Sequence, residues 1–178
     1  KLLFAAEDHY PQHLPAFAIM GLGGCRHCEL REEADLDAPV LNWEDVHFET
    51  GLIHVDEQVA KSNTGRRYVP MQPSLVAWLK LRAKARGPIC QVANLTNALR
   101  RIAAKAGVPF KQNGLRNSFI SYRCAIVKNV AAVAGEAGNS EGEIQGSYRK
   151  EIPESVALKY FNILPGDRAR ERQGELAL

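Results

Sequence analysis

NGLRNSFISYRCAIV, residues 113–127, reads as a helix over Leu115–Val127 with an arginine in its first turn. Arg116 sits in the apolar-flanked run LRNSF, where a side chain that is always charged has no obvious structural use. A guanidinium brought into apolar surroundings is costly unless an opposite charge meets it. The segment therefore asks what anion Arg116 is there to hold.

The charge pattern around it gives a first answer. The 178-residue chain carries a net charge of +3, which is small, but the charges are segregated. Residues 1–57 hold 12 acidic and 3 basic side chains, whereas residues 58–135 hold 14 Lys or Arg and no Asp or Glu. Residues 136–178 return to 8 acidic against 6 basic. A solvated surface ordinarily mixes both signs. A basic helix face can arise by chance, but 78 residues without a carboxylate point to a surface kept attractive to a polyanion, and nucleic acid is the obvious one.

The length suits one domain with a real core. There is no apolar run of membrane-spanning length and no signal-peptide pattern, and no membrane partner is expected. The chain does not begin with Met, and Leu2, Leu3, Ala5 and Ala6 suggest a helix already under way, so the expectation is a fragment lacking an N-terminal portion. Residues 1–20 read as helical, broken by Pro11 and Pro15. GLGG (21–24) reads as flexible, and CRHCEL (25–30) has the composition of a helix start. REEADLDAPV (31–40) reads as an acidic surface loop.

From Trp43 to Met71 the period changes. VHFETGLIHV (46–55) holds two short strands around Glu49-Thr50-Gly51, and QVAKSNTGRRYVPM (58–71) adds a turn at Ser62-Asn63-Thr64-Gly65 and a strand at Arg66–Pro70. The rest reads as helices: SLVAWLKLRAKAR (74–86), Asn94–Ala106 stopped by Gly107, Leu115–Val127, Val130–Ala137 and Pro153–Phe161. The expected fold class is mixed α+β, mainly helical with a small three-stranded antiparallel sheet, over residues 1–163, followed by a polar tail at 164–178.

Two motifs compete at residues 24–30. Cys25 and Cys28 have the spacing of half a zinc site, but Cys90 and Cys124 stand alone, and no βαβ context supports a redox pair. Four scattered cysteines suit a reducing interior, and they read as small packing side chains, with no metal expected. No phosphate loop, H-E-x-x-H or G-x-S-x-G is present, so nucleotide-cleaving and hydrolase readings have little to stand on.

The arginine between the cysteines fares better. Arg26 lies in G-x-R-x-x-E-L, and 90 residues on comes Asn113-x-x-Arg116. Gly138-Asn139-Ser140 follows, and Tyr148 stands nine residues beyond Asn139. In this order and spacing, with LNWEDV (41–46) and RRYVP (66–70) between, the chain resembles the catalytic domain of the tyrosine recombinases, the phage integrase family, over roughly residues 2–163.

The resemblance implies cutting and rejoining of DNA strands through a 3′-phosphotyrosyl link on Tyr148. It implies Arg26 and Arg116 on the scissile phosphate, Lys61 in a mobile hairpin, and Asn113 and Asn139 at two positions the family usually fills with histidine. Arg66, Arg67 and Lys111 are expected to contact the DNA. The implied partner is double-stranded DNA, with a homotetramer when full length and no small-molecule substrate. An N-terminal DNA-clamping domain would be missing from this piece. Tyr160, in the apolar ALKYFNI, reads as helix packing rather than as the nucleophile.

Elementary chemistry agrees with these roles. A tyrosine hydroxyl can hold a phosphate covalently, and the exchange conserves bond energy, so neither ATP nor another cofactor is required. Guanidinium forks match the non-bridging oxygens of a pentavalent phosphorus. Lys61 could return a proton to the departing 5′ oxygen. Asparagine, by contrast, donates and accepts hydrogen bonds but moves no proton near neutral pH, so a slowed enzyme is the expectation. A DNA-binding relic of the same fold and a type IB topoisomerase are the alternatives.

Overall fold

The computed structural model describes residues 1–31, 39–60, 65–91, 94–147 and 152–167. Lys61, the 62–64 turn, most of the acidic 31–40 segment, Tyr148 and the end of the tail lie outside the described residues.

The N-terminal helical stretch is divided where its prolines predict. Helix α1 spans Leu2–His9, a 3₁₀ turn covers Pro11–His13, α2 spans Leu14–Ala18, and a wide π turn covers Ile19–Gly23. Pro11 has no N–H to continue the α1 ladder, so the axis changes there. Every residue from His13 to Cys25 is buried, which makes this segment the floor of the core.

The β content consists of β1 (Val46–His47), β2 (Leu52–Val55) and β3 (Arg67–Pro70), ordered β1-β2-β3 and antiparallel. Val46 pairs with Ile53, Ile53 with Val69, and Val55 with Arg67. The two-residue period puts Ile53, Val55, Arg67 and Val69 on the inner face. His54 and Tyr68 stack on the outer one, ring centroids 4.9 Å apart.

Six further helices complete the described fold: α3 (Pro73–Lys80), α4 (Leu95–Lys105), α5 (Gly114–Val127), α6 (Val130–Ala137), α7 (Glu141–Ser147) and α8 (Glu154–Phe161). Helix α3 is shorter than its composition suggests. Residues 87–89 are drawn away to bond with 41–43, Trp43 N–H donating to the Gly87 carbonyl and Ile89 N–H to that of Leu41. Asparagine side chains cap α4 and α6: Asn94 Oδ1 accepts from Asn97 N–H at 2.8 Å and Asn129 Oδ1 from Ala132 N–H at 3.0 Å.

Helix α5 is central, packed against the 19–23 turn, α6 and α8. Phe119 meets Phe161 edge to face, Tyr122 stacks on Tyr160, and the Tyr160 hydroxyl donates to the Gly21 carbonyl at 2.6 Å. Burying Phe119 and Phe161 contributes on the order of 1.5–3 kcal/mol each. Tyr160 is thereby fixed as a packing residue, and burial pushes its phenol pKa upward.

CRHCEL does not continue into an α-helix. It makes one 3₁₀ turn, His27–Glu29, in which the Glu29 carboxylate accepts from Arg26 N–H at 2.7 Å. Conversely, EGEIQGS forms a helix that its glycines argue against, α7 (Glu141–Ser147). A capping box starts it: Ser140 N–H donates to Glu143 at 2.8 Å and Glu143 N–H donates to Ser140 Oγ at 3.3 Å.

Candidate active site

The site is built from three chain segments that meet at Gly24, Arg116 and Gly138. Gly24 ends the π turn with φ +72°, and a Cβ there would collide with the Phe119 ring. Only glycine lets the chain pass this close to α5 in a left-handed conformation. The passage leaves the Gly24 carbonyl accepting from Arg116 Nη1. Two residues later the chain delivers Arg26.

Arg116, in the first turn of α5, is buried at 6 % exposure. Its Nη2 donates to Asn139 Oδ1 at 2.6 Å, and Arg26 Nη2 donates to the Gly138 carbonyl. Arg26, Arg116 and the Gly138-Asn139 turn therefore close into one ring, although 112 residues separate Arg26 from Gly138. Burial, and then the neighbouring Arg26 charge, pull the Arg116 guanidinium down to about 10, so it remains a cation at neutral pH. Arg26 keeps 19 % of its side chain accessible and forms the open lip of the pair.

Beneath them lies Glu29, fully buried. It accepts from the Arg26 backbone, faces Arg26 Nη1 at 3.5 Å, and pairs with Arg67 Nη2 at 2.7 Å. Here the expectation for Arg67 as a DNA contact is corrected. At 6 % exposure Arg67 points inward from β3 and gives Nε to the Glu136 carbonyl at 3.1 Å. The signal was in the sequence, since an interior Val69 puts Arg67 on the same strand face. Arg66 and Lys111, by contrast, are exposed.

Three guanidiniums thus gather around one buried carboxylate, which pairs with Arg26 and Arg67 only. That excess of positive charge in a partly desolvated place suits an anion with several oxygens, above all a phosphate group.

Asn113 caps nothing: it precedes α5 in a left-handed conformation (φ 54°), exposed, and lines a small recess with His27 and Gln112. Asn139 is half-buried and donates Nδ2 to Glu143 at 3.2 Å. Glu143 is a further member of the site that sequence reading passes over; the Ser140-x-x-Glu143 pattern was its signal. Cys25 lies 4.0 Å from Arg67 Nη2, and burial together with the Glu29 charge pushes its thiol up to about 12. A thiol so unwilling to ionise is a packing group, not a nucleophile. Cys28 is only partly buried.

A mainly helical domain with a three-stranded antiparallel sheet and this ordering of elements is the fold of the tyrosine recombinase catalytic domain. Among solved structures, the XerA recombinase matches at a TM-score of 0.60 and 18% identity, over 98% of this chain and 59% of that one. The Tn1549 transposon integrase, solved in complex with a circular intermediate DNA, matches at a TM-score of 0.54 and 19% identity, over 97% of this chain and 62% of that one. The chain thus spans about six-tenths of the length of these structures. No family model and no curated protein matches it. No helix among the described residues is long and apolar enough to cross a membrane.

Proposed function

We propose that this chain is the strand-cutting domain of a site-specific DNA recombinase or integrase. The observation that carries the reading is the convergence of Arg26 and Arg116, 90 residues apart in sequence, on one turn at Gly138-Asn139.

In this reading the two guanidiniums hold the non-bridging oxygens of a scissile phosphodiester. The Asn139 Nδ2–H that donates a hydrogen bond to Glu143 donates instead to a phosphate oxygen. Tyr148 follows α7 directly in sequence. Its hydroxyl oxygen attacks phosphorus, forming the 3′-phosphotyrosyl ester while the P–O5′ bond breaks. The phenolic proton passes to solvent, and Lys61 protonates the departing 5′ oxygen. Attack by the 5′ hydroxyl of a partner strand reverses each of these steps. Bond energy is retained in the ester, so exchange runs without an external energy source. The substrate is duplex DNA, gripped first by Arg66, Lys111 and the acid-free region, and a tetramer assembles on it when the protein is full length.

Covalent trapping tests this. Full-length protein is mixed with nicked duplexes from the flanks of its own gene, beside Tyr148→Phe and Asn113→His. A denaturation-resistant protein–DNA species that disappears with Tyr148→Phe is the expected result. The absence of any such species from protein that binds the duplex, even with Asn113→His, sinks the reading and leaves a DNA-binding relic. Relaxation of plasmids lacking any defined site would instead indicate a type IB topoisomerase.

A further inference from the structure

We propose that Arg67 is a positioning residue that holds the Arg26 guanidinium in place before any DNA arrives. The consequence for catalysis rests on the strand-transfer reading above; the positioning itself does not.

Arg67 reaches both halves of the site from behind. Its Nη2 anchors Glu29 at 2.7 Å, and the same Glu29 oxygen accepts from Arg26 N–H at 2.7 Å. The other Glu29 oxygen faces Arg26 Nη1 at 3.5 Å. Its Nε meanwhile holds the Glu136 carbonyl at 3.1 Å, two residues before Gly138, whose own carbonyl accepts from Arg26 Nη2. The two terminal nitrogens of Arg26 therefore face two acceptors, Glu29, which Arg67 holds directly, and the Gly138 carbonyl, two residues from the Glu136 carbonyl that Arg67 holds.

Packing gives the same answer independently. A Cβ on Gly138 would stand 3.1 Å from Arg67 Cζ and Nη1 and 3.2 Å from Arg26 Nη1. The two guanidiniums converge on that one glycine so closely that a methyl group would have to push them back. Arg67 Nη1 is buried without a hydrogen-bond partner among the described residues, a cost that an ion pair serving stability alone would not need. Without Arg67, Glu29 would be a buried carboxylate facing Arg26 alone and would draw that guanidinium down toward itself, away from the open lip. A planar fork with separate Nε and Nη2 donors is required, so lysine cannot replace it.

The test reads Arg26 directly. Side-chain Nε–Hε relaxation of Arg26 is measured in the DNA-free chain for the wild type, Arg67→Lys, Glu29→Gln and the control Arg123→Lys. The control replaces the two-point Arg123–Glu136 pair, at 2.8 and 2.9 Å, by a single ammonium contact; it acts on the Glu136 side chain, not on the carbonyl that Arg67 holds, and does not touch Arg26. The wild type should show Arg26 as ordered as rigid backbone, with an order parameter of about 0.85, falling below about 0.6 in Arg67→Lys. Glu29→Gln, which keeps the shape and loses the charge, should loosen it as well, and Arg123→Lys should not.

Three results overturn the proposal: an Arg26 already mobile in the wild type, an Arg26 equally rigid in Arg67→Lys, or an equal loosening by Arg123→Lys. Should Arg67→Lys fail to fold, Glu29→Gln and the wild type decide. On nicked duplex, Arg67→Lys should form covalent product about 10²-fold more slowly with binding within about twofold of wild type. Wild-type protein that forms no covalent product defeats the strand-transfer reading, while the order parameters still decide the position of Arg67.

Discussion

Arg116 and Asn139 lie 2.6 Å apart, Nη2 to Oδ1, although 23 residues, including most of α5 and all of α6, separate them. The bond fixes which way the Asn139 amide faces. Its oxygen is committed to the arginine, and its nitrogen is left on the side of Glu143. The Asn139 amide therefore presents its N–H toward Glu143 only while Arg116 holds it in that orientation.

Replacing Arg116 by lysine should therefore do more than weaken a charge. A single ammonium on a flexible stem cannot satisfy both the Gly24 carbonyl and Asn139. Covalent product formation on nicked duplex should fall by about 10²–10³-fold, the usual cost of one lost transition-state donor. A rate within a few-fold of wild type would remove Arg116 from the reacting centre.

Gly138→Ala should damage stability and the site together. The residue has φ +70°, which costs a side-chain-bearing residue about 1–2 kcal/mol, and the new methyl would press on Arg26 and Arg67 at once. Thermal unfolding should show the lower stability, and covalent product should decline further than unfolding explains. Gly107→Ala is the matched control, because its backbone is also left-handed (φ +62°) but its Cβ would meet nothing within 4 Å.

Tyr160→Phe separates packing from chemistry. It leaves the Gly21 carbonyl without the hydroxyl that donates to it at 2.6 Å and should cost about 1–2 kcal/mol in denaturant unfolding. The covalent protein–DNA species should still form. Its loss in Tyr160→Phe, with folding intact, would move the nucleophile from Tyr148.

Helix α7 should loosen in acid. The Ser140 backbone N–H, then the Asn139 amide and the Ser140 hydroxyl, hold the Glu143 carboxyl below its ordinary value. A group depressed in this way stabilises the fold above the ordinary carboxylate range and loses that contribution as pH falls through its lowered value. Helical chemical shifts of Ile144 and its neighbours should decay over that acid window in the wild type. In Glu143→Gln they should already be weakened and should show no such titration. Identical pH profiles would place the start of α7 under other control.

Local chemistry was sufficient for much of this protein. Asn94 and Asn129 announce the starts of α4 and α6, Pro11 breaks the N-terminal helix, and Gly51 turns the hairpin between β1 and β2, because caps and turns are decided within a few residues. The order and spacing of Arg26, Asn113, Arg116 and Asn139 likewise lie open in the sequence. What the sequence by itself could not assign was which cations face outward. Arg66 and Arg67 are adjacent and chemically alike, yet one is exposed and the other is 6 % exposed against Glu29. Likewise, EL in CRHCEL looks like the start of a helix until Arg67, 38 residues away, claims its carboxylate. Those assignments belong to the tertiary structure, because the free energy of a buried charge depends on the partner that folding brings to it and not on its neighbours in the chain.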